Sequence, residues 1–295
     1  MKAELKQYIA FQADRGRLSE SSILSYERDL HALSLYLEAQ GVECWDAVQR
    51  HHLSRFIHSL KEQGRKAATI SRHIVSIRAF FQYMLTGGHL SGDPSIYLEA
   101  PRWEKKPPAV LTEAETNALL EAPDPRSPAG KRDKAMLELL YATGIRVSEL
   151  VSLNLEHMHM TLGYIQCTSG MKERIVPFGR HAAAAVEVYL NEGRDGLLKG
   201  RSCDSALFLN HLGTRMTRQG FWKMLKKYAR EADIGEEITP HTMRHSVAAH
   251  LLDHGADARA VQELMGHADI ATTLKYLQGN KARLKEVYTG AHPRA

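Results

Sequence analysis

Several side chains in the second half of the chain have the types and spacing needed to act on a phosphate group. Arg146 stands at the start of a predicted helix, and Glu149 follows three residues later. A guanidinium held by a nearby carboxylate presents a fixed fork of N–H donors, which suits phosphate oxygens. A Thr-Pro helix start then places His241 and Arg244 one turn apart, on one helix face beside an N-terminus that favours anions. These four residues predict a phosphate-binding site.

A third segment adds a candidate nucleophile. His267 directly follows Gly266, which ends a predicted helix, and Tyr276 lies nine residues further along. A tyrosine hydroxyl can attack phosphorus, a histidine can transfer its proton, and arginines can neutralise the charge that develops. The combination of these residue types favours phosphoryl-transfer chemistry on an anionic substrate.

Each of these features also has an interpretation without such chemistry. Arg146 and Glu149 could form an ordinary ion pair within one helix, and Tyr276 alone could be a half-buried aromatic side chain. His241 and His245, four residues apart, could bind a metal ion from one helix face. That metal site lacks a third ligand at a recognisable spacing, since the sequence contains neither an HExxH nor a CxxC motif.

The composition limits the kind of protein that carries these residues. With 295 residues, the chain is long enough for about two domains. Lys and Arg outnumber Asp and Glu by 39 to 34, an excess that permits a polyanionic partner without requiring one. The three cysteines are widely spaced and suit a reducing cytoplasm. No apolar run approaches the roughly 20 residues that span a bilayer, and no signal peptide is evident, so we expect a cytoplasmic protein.

The first hundred residues predict a bundle of four helices. Apolar residues recur at steps of three and four, and the predicted helices end near Gly16, Gly41, Gly64 and Gly87. Ser21 and Ser22 are the expected caps of the second helix, and the third is expected to begin at Ala47.

One stretch of this bundle has the charge expected of a surface that binds DNA. No acidic residue occurs between Glu62 and Asp93, whereas the same interval contains Arg65, Lys66, Arg72 and Arg78. The fourth helix is expected to turn its polar residues outward, where such groups can contact phosphates. These residues are Thr69, Ser71, Arg72, His73 and Ser76. A solvated helix face is the alternative.

A proline-rich segment separates the bundle from the rest of the chain. Residues 101–108 contain three prolines and cannot form a helix or a central strand, which predicts an interdomain linker. Arg102, Lys105 and Lys106 make it basic, as expected where a tether crosses a phosphate backbone, although solubilising lysines are equally common in linkers.

The second half combines helices with a few short strands. Tyr164 to Cys167 and Arg174 to Pro177 are predicted as two strands around a turn, and Leu207 to Leu209 could add a third. The predicted helices run over 132–143, 220–232, 240–255, 258–265, 271–276 and 282–289, with a further start capped by Thr112. The sequence thus predicts a mainly α protein with a small β-sheet.

Taken in order, the reactive segments resemble the tyrosine site-specific recombinases of the phage integrase family. The motifs are R-x-S-E-L at 146–150, H-x-x-R-H-S at 241–246, L-x-G-H-A-D-I at 264–270 and the tyrosine at 276. The similarity covers essentially the whole chain. It implies a four-helix SAM-like core-binding domain at 1–100, a linker at 101–108 and a mixed α/β catalytic domain at 109–295, with the two domains on opposite faces of a DNA duplex.

The resemblance also implies how the nucleophile would act. Tyr276 would attack the scissile phosphate, form a 3′-phosphotyrosyl link and release a 5′-hydroxyl. His241 would assist proton transfer from the tyrosine, and His267 would donate a hydrogen bond to the phosphate.

The arginines would stabilise charge in the same step. Arg146 and Arg244 would neutralise the non-bridging oxygens of the transition state, with Glu149 supporting Arg146. Because the covalent link conserves the bond energy, neither a metal ion nor any other cofactor is expected at the chemical step.

The sequence departs from the family pattern at one catalytic position. Family members carry a lysine in the turn between two strands, typically in G-K-G ahead of K-E-R-x-V-P. Here Cys167 to Pro177 reads C-T-S-G-M-K-E-R-I-V-P, which leaves Ser169, or a one-residue gap, where that lysine belongs. The lysine protonates the leaving oxygen, and a general acid contributes about 10²–10⁴-fold to the rate. Lys172 is the candidate replacement, with an ordinary surface lysine as the alternative.

The resemblance further implies the partners of the protein. The DNA would carry a dif-like site, where a heterotetramer with a related recombinase, or copies of this chain, would resolve chromosome dimers under a septal DNA translocase. Contacts between basic side chains and phosphates would supply most of the affinity and a strong salt dependence. The segment 281–287 would dock on a neighbouring protomer.

Two other functions would use the same fold. A protein with a weakened active site would bind DNA sequence-specifically without cutting it, and a lysine restored near position 169 would then separate the two cases. An enzyme similar to type IB topoisomerases would relax supercoils as a monomer without sequence preference.

Overall fold

The two halves of the chain fold as separate compact units, Met1–Lys105 and Lys106–Ala295. A computed structural model describes residues 1–101, 109–169, 172–198, 205–235, 238–267 and 269–276, with residues 169 and 172 described by their backbone alone. The predicted linker residues Arg102, Lys105 and Lys106 lie outside the described residues, as does the predicted docking segment 281–287.

Within residues 1–101, the N-terminal unit contains four α-helices, as predicted. They are α1 (Lys2–Asp14), α2 (Glu20–Ala39), α3 (Arg50–Glu62) and α4 (Ala67–Thr86). Their apolar stripes meet in a core in which Tyr8, Leu33, Phe80 and Phe81 are fully buried. Each such side chain stabilises the fold by roughly 1.5–3 kcal/mol relative to an exposed position.

Two helix starts in this unit differ from the prediction. The N-cap of α2 is Ser19, whose hydroxyl accepts a hydrogen bond from the Ser22 N–H at 3.3 Å, so the predicted caps Ser21 and Ser22 are wrong. Helix α3 begins at Arg50 rather than Ala47, because Trp45–Ala47 forms a short 3₁₀ turn. This turn buries Trp45 against the bundle, with its ring centre 4.6 Å from that of Phe80.

Helix α4 buries two of the polar residues that were predicted to point outward. Its basic residues are exposed, but His73 and Ser76 are buried. Both face Asp29 of α2: Ser76 Oγ donates to its carboxylate at 2.8 Å, and His73 Nε2 lies 3.3 Å from it. A buried carboxylate is stable only with polar partners, so the helix turns these two side chains inward rather than toward a ligand.

The second unit contains nine helices and three strands among the described residues. The helices are α5 (Glu113–Glu121), α6 (Pro128–Thr143), α7 (Val147–Ser152), α8 (Arg180–Glu192), α9 (Arg194–Leu198), α10 (Arg218–Glu231), α11 (Pro240–Asp253), α12 (Ala258–Met265) and α13 (Ala271–Leu274). Thr112 caps α5 as predicted. The sequence did not predict α8, because its four consecutive alanines blur the apolar period and its start lacks a side-chain cap. The predicted helix at 282–289 lies outside the described residues.

The small sheet has the order β1-β2-β3 and is antiparallel throughout. Its strands are β1 (Met158–His159), β2 (Tyr164–Ser169) and β3 (Lys172–Pro177). The register pairs Cys167 with Arg174 and Ser169 with Lys172. The expected third strand at Leu207 to Leu209 is wrong: this buried segment makes only isolated bridges, and β1 takes the third place. In the sequence, a short and fully apolar segment resembles a buried strand, whether or not the folded protein has another strand that pairs with it.

Helix α6 runs through the core of this unit, with every residue from Ala135 to Leu140 buried. It packs against α8 and α11, and its C-terminal end leads directly into the segment that carries Arg146. Of the helices that the structure describes, none is both long and apolar enough to cross a membrane.

Candidate active site

Two glycines that end helices orient the two predicted phosphate-binding arginines. Gly144 ends α6 and Gly266 ends α12, both at positive φ (59° and 62°), where a Cβ would be strained. The last carbonyls of a helix have no partner within it. Arg244 donates hydrogen bonds to the carbonyls of Gly144 and Met265, and Arg146 Nη2 donates to the Gly266 carbonyl at 3.2 Å. The helix ends therefore fix both guanidinium groups.

Arg244 is held in an unusual electrostatic position. Its side chain is only 6% exposed, and burial, with the neighbouring Arg146 charge, lowers its pKa to about 10. The group is still charged at neutral pH, because this value lies well above 7. A buried guanidinium without its own carboxylate is costly, and an anionic ligand would relieve that cost.

One buried carboxylate links Arg146 to a second arginine. Glu149, which is 4% exposed, accepts from the Arg146 backbone N–H at 2.7 Å and lies 3.3 Å from Arg146 Nη1. Arg174 of β3 binds the same carboxylate with both ends of its fork, at 2.6 and 2.9 Å. Burial alone would raise the pKa of Glu149, but the bonds from Arg174 and Arg146 hold it below its ordinary value.

The sequence analysis did not identify Arg174, although a signal was present. Val176 is buried and Ile175 is exposed, so the two-residue period of β3 assigns Arg174 to the inward face. An arginine on the buried face of a strand needs an acidic partner, and Glu149 was already a predicted site residue that could serve as that partner.

The tyrosine hydroxyl contacts a different histidine from the one paired with it on the sequence. Tyr276 Oη and His245 Nδ1 form a hydrogen bond, and the His241 ring centre lies 6.2 Å from that of His245. Burial raises the pKa of Tyr276, and burial together with His241 lowers the pKa of His245 to about 4. Both partners are therefore neutral at pH 7. The four-residue spacing from His241 was the available signal for His245.

His267 follows the helix-ending Gly266 and lies near both arginines. Its Nδ1 is 2.9 Å from Thr273 Oγ1, and its backbone N–H donates to the Gln262 carbonyl at 3.0 Å. Burial, with the charges of Arg244 and Arg146, lowers its pKa to about 4. The imidazole is thus neutral at physiological pH and able to donate one hydrogen bond.

The arginines open into a cleft of about 810 Å³. Arg146, Arg244 and His241 line the cleft together with residues of the first turns of α10. The helix starts at Thr217 and Thr239 border it, and helix N-termini favour anions. The α10 residues were not identified from the sequence, although a threonine cap followed by an arginine was the available signal: they are Arg218, Gln219 and Trp222.

The remaining predicted residues divide into two groups. Arg65, Lys66, Arg72 and Arg78 are exposed on the N-terminal unit. Arg72 binds Asp29, and Arg78 donates to the Leu98 carbonyl at 2.6 Å. Lys172 opens β3 directly opposite Ser169, and its side chain lies outside the described residues.

The alternative of a metal site at His241 and His245 gains no support from the fold. Within the described parts of the chain, no group of three or more His, Cys, Asp or Glu side chains could hold a metal ion.

The sequence matches known families along most of its length. Residues 109–283 match the phage integrase family, and residues 5–88 match the phage integrase N-terminal SAM-like domain. A tyrosine recombinase XerD from Oceanobacillus iheyensis is 49% identical over 96% of this chain and 95% of its own. One from Listeria monocytogenes serotype 4b is 44% identical over 99% of each chain.

Solved structures share the fold. A Tn1549 transposon integrase in complex with transposon right end DNA superposes with a TM-score of 0.76 at 22% identity, covering 97% of this chain and 99% of that one. XerH recombinase bound to a palindromic difH substrate gives 0.73 at 22% identity, covering 90% and 79%. The predicted fold class and family resemblance are confirmed, and the relatives do not favour a binding protein without cleavage. The chain belongs to the phage integrase family and is a tyrosine recombinase, an enzyme that binds DNA and cuts and rejoins it at specific sites.

Proposed function

We propose that this enzyme resolves chromosome dimers in the cytoplasm by recombining dif-like sites. A XerC-like recombinase, or further copies of this chain, would complete the tetramer, and a septal DNA translocase would bring the sites together. Similarity to XerD relatives along nearly the whole chain supports this assignment. The division of the chain into two compact units after Lys105 supports a DNA-binding domain at 1–100, a linker at 101–108 and a catalytic domain at 109–295.

The observation that carries the catalytic proposal is a surplus of positive charge around one carboxylate. Arg146 and Arg174 both lower the pKa of the buried Arg244, and the carboxylate of Glu149 interacts with all three guanidinium groups. A scissile phosphate would supply the missing negative charge and accept hydrogen bonds from Arg146 and Arg244. These arginines would stabilise the transition state more than the bound substrate, because additional negative charge develops on the non-bridging oxygens of the phosphate in the transition state.

The reaction follows from the position of the tyrosine. Tyr276 Oη forms a bond to phosphorus while the bond from phosphorus to the 5′-oxygen breaks, which leaves a 3′-phosphotyrosyl link. The hydroxyl proton passes to a histidine, with His245 in contact and His241 one helical turn away. His267 donates a hydrogen bond to the phosphate. Rejoining reverses each step with a new 5′-hydroxyl.

The leaving 5′-oxygen needs a proton, and Lys172 is our candidate for the donor. Its backbone pairs with that of Ser169, the position where the family lysine is expected. Paired residues in an antiparallel ladder lie about 4.5–5.5 Å apart between Cα atoms. The lysine would thus enter from the opposite strand of the same hairpin.

Basic and polar residues of both units would hold the DNA. Arg218 and Gln219 at the start of α10 border the cleft, and Arg65 and Lys66 are exposed at the start of α4. Arg78, which donates to the neutral Leu98 carbonyl, would contribute charge, whereas Arg72 is paired with Asp29 and would contribute only N–H donors to a phosphate. The linker residues Arg102, Lys105 and Lys106 would add further phosphate contacts.

A nicked suicide substrate carrying a dif-like site tests these roles. The protein should form a slow-migrating covalent complex on a denaturing gel, and Tyr276→Phe should abolish it while leaving DNA binding intact. Lys172→Ala should lower the rate of its formation by about 10²–10⁴-fold. Lys134→Ala, which removes a lysine bound to Glu121 and Glu138, is the matched control and should not change the rate.

The outcomes separate the proposals. A covalent complex that persists in Tyr276→Phe would rule out this tyrosine as the nucleophile. Cleavage that survives Lys172→Ala unchanged would exclude Lys172 as the acid. Binding without any covalent complex, followed by cleavage in Ser169→Lys, would identify a DNA-binding protein whose site lacks only the lysine.

A further inference from the structure

The carboxylate of Glu149 is shared unequally between its two arginines. Arg174 meets it with two parallel hydrogen bonds of 2.6 and 2.9 Å, whereas Arg146 Nη1 lies 3.3 Å away. A bidentate arginine–carboxylate pair is the stronger of these two geometries. Arg174 is therefore the main counter-ion of Glu149.

Because Arg174 binds Glu149 more closely than Arg146 does, Arg146 can offer more positive charge to a ligand. With Glu149 as its only close neighbour, Arg146 would form a neutral pair and would offer a phosphate little net charge. Arg174 neutralises the carboxylate instead, and the Arg146 side chain remains 40% exposed toward the cleft. The positive charge of Arg146 is thus left for a ligand.

We propose that Arg174 is a positioning residue that keeps Glu149 as its own counter-ion and so reserves the charge of Arg146 for the scissile phosphate. This inference rests on the proposed role of Arg146. Arg174 is 18% exposed and does not open into the cleft that holds Arg146 and Arg244, so it acts through its neighbours.

Packing against the neighbouring glycine strengthens the assignment. A Cβ built on Gly266 would lie 3.1 Å from Arg174 Cζ, so the guanidinium lies directly against that glycine. The carbonyl of Gly266 accepts from Arg146 Nη2. Both Nη groups of Arg174 donate to Glu149, and among the described residues its buried Nε has no hydrogen-bond partner.

The test compares DNA that carries an ordinary scissile phosphate with DNA that carries a neutral methylphosphonate there. The ratio of affinities for the two DNAs is measured in a Tyr276→Phe background, where no chemistry occurs. Replacing Arg174 by Gln should reduce the preference for the charged phosphate by roughly ten- to a hundredfold, because Glu149 then neutralises Arg146. Arg174→Lys, which keeps the charge, should retain most of the preference.

A double substitution distinguishes charge from structure. Glu149→Gln combined with Arg174→Gln removes both members of the pair and should restore most of the preference lost in Arg174→Gln. If Arg174 only supports the fold, the double variant will be no better than the single one, and the inference is overturned. An equal loss of affinity for both DNAs in Arg174→Gln would overturn it as well.

A structural arginine provides the matched control. Arg215 donates to the Val151 and Leu153 carbonyls at 3.1 and 3.0 Å and binds Asn154, and it does not line the cleft. Arg215→Gln should weaken binding of both DNAs equally or not at all, and a changed preference there would overturn the inference. Cleavage of the ordinary phosphate by the unsubstituted enzyme is recorded separately. Its absence would refute the proposed function, while the affinity ratio would still decide the role of Arg174.

Discussion

Each unit of the molecule contains a buried carboxylate that contacts basic side chains, Asp29 in the first and Glu149 in the second, and the charge of the two carboxylates is balanced differently. In the N-terminal unit, Asp29 is 2% exposed and binds Arg72. The Ser76 hydroxyl donates to the same carboxylate, and His73 Nε2 lies 3.3 Å from it. One guanidinium balances one carboxylate. Such a cluster is satisfied by itself and needs no ligand, so it serves to fix α4 against α2.

In the catalytic unit, the carboxylate of Glu149 is outnumbered. Arg174 satisfies it, Arg146 contacts it more loosely, and the buried Arg244 has backbone carbonyls as its hydrogen-bond acceptors. A buried charged group therefore does not by itself identify a functional site. What identifies the site is an excess of guanidinium groups over carboxylates next to an open cleft.

The largest effect should come from removing an arginine of the surplus. Arg146→Ala should lower the rate of covalent-complex formation by about 10²–10³-fold, the usual effect of losing one group that stabilises transition-state charge. Arg72→Ala removes the guanidinium of the balanced cluster and should change that rate less than tenfold at saturating DNA. Single-turnover cleavage of the suicide substrate measures both. Similar losses in the two variants would remove the distinction between the clusters.

The balanced cluster should show its importance in stability. Asp29→Asn removes the charge that Arg72 and Ser76 bind, and leaving buried polar groups poorly paired costs about 1–3 kcal/mol. Urea denaturation followed by circular dichroism measures the loss in the free energy of unfolding. Asp14→Asn, at an exposed position at the end of α1, is the control. A loss no greater than that of the control would mean that Asp29 does not hold the bundle together.

The smallest expected effect is on the pH dependence of stability, and it tests the electrostatics around His267 in the catalytic unit. The pKa of His267 is about 4 in the folded protein and about 6.5 without burial and the neighbouring arginines. Below pH 7 the unfolded chain therefore binds a proton that the folded chain does not, and the free energy of unfolding falls as the pH drops toward 4. Allowing for partial exposure, the loss between pH 7 and 6 should be about half a kcal/mol.

His267→Asn should remove this contribution, so its stability should fall less steeply over that range. Urea titrations at pH 7 and pH 6 supply the slopes, and His58→Asn, on an exposed part of α3, serves as the control. An unchanged slope in His267→Asn would mean that burial and the neighbouring arginines do not lower the pKa of this histidine in the folded protein.

Sequence reasoning was most successful where a local pattern decides the outcome. Glycine stops and apolar periods predicted the four helices of the first unit, and Thr112 and Thr239 were recognised as caps because a side-chain oxygen followed by a helix start is a local feature. The sequence also supplied both arginines, Glu149 and Tyr276. The likeness to a known family made those assignments specific.

Sequence reasoning missed what depends on contacts between distant segments. Arg174 and Glu149 are 25 residues apart, so nothing local shows that they form an ion pair. His73 and Ser76 were assigned to the surface because their buried partner, Asp29, lies more than 40 residues earlier. The run at Leu207 to Leu209 failed for a similar reason, since an apolar segment does not reveal whether a neighbouring strand exists.

The glycine-ended helices have a consequence for the assembly of the enzyme. The carbonyl of Gly144 meets a guanidinium 100 residues away, and that of Gly266 meets one 120 residues away. The two arginines are therefore aimed only after the whole catalytic unit has folded. A nascent or half-folded chain has a tyrosine but no formed phosphate site beside it. Covalent attachment of a DNA strand to Tyr276 is therefore expected to require the folded catalytic unit.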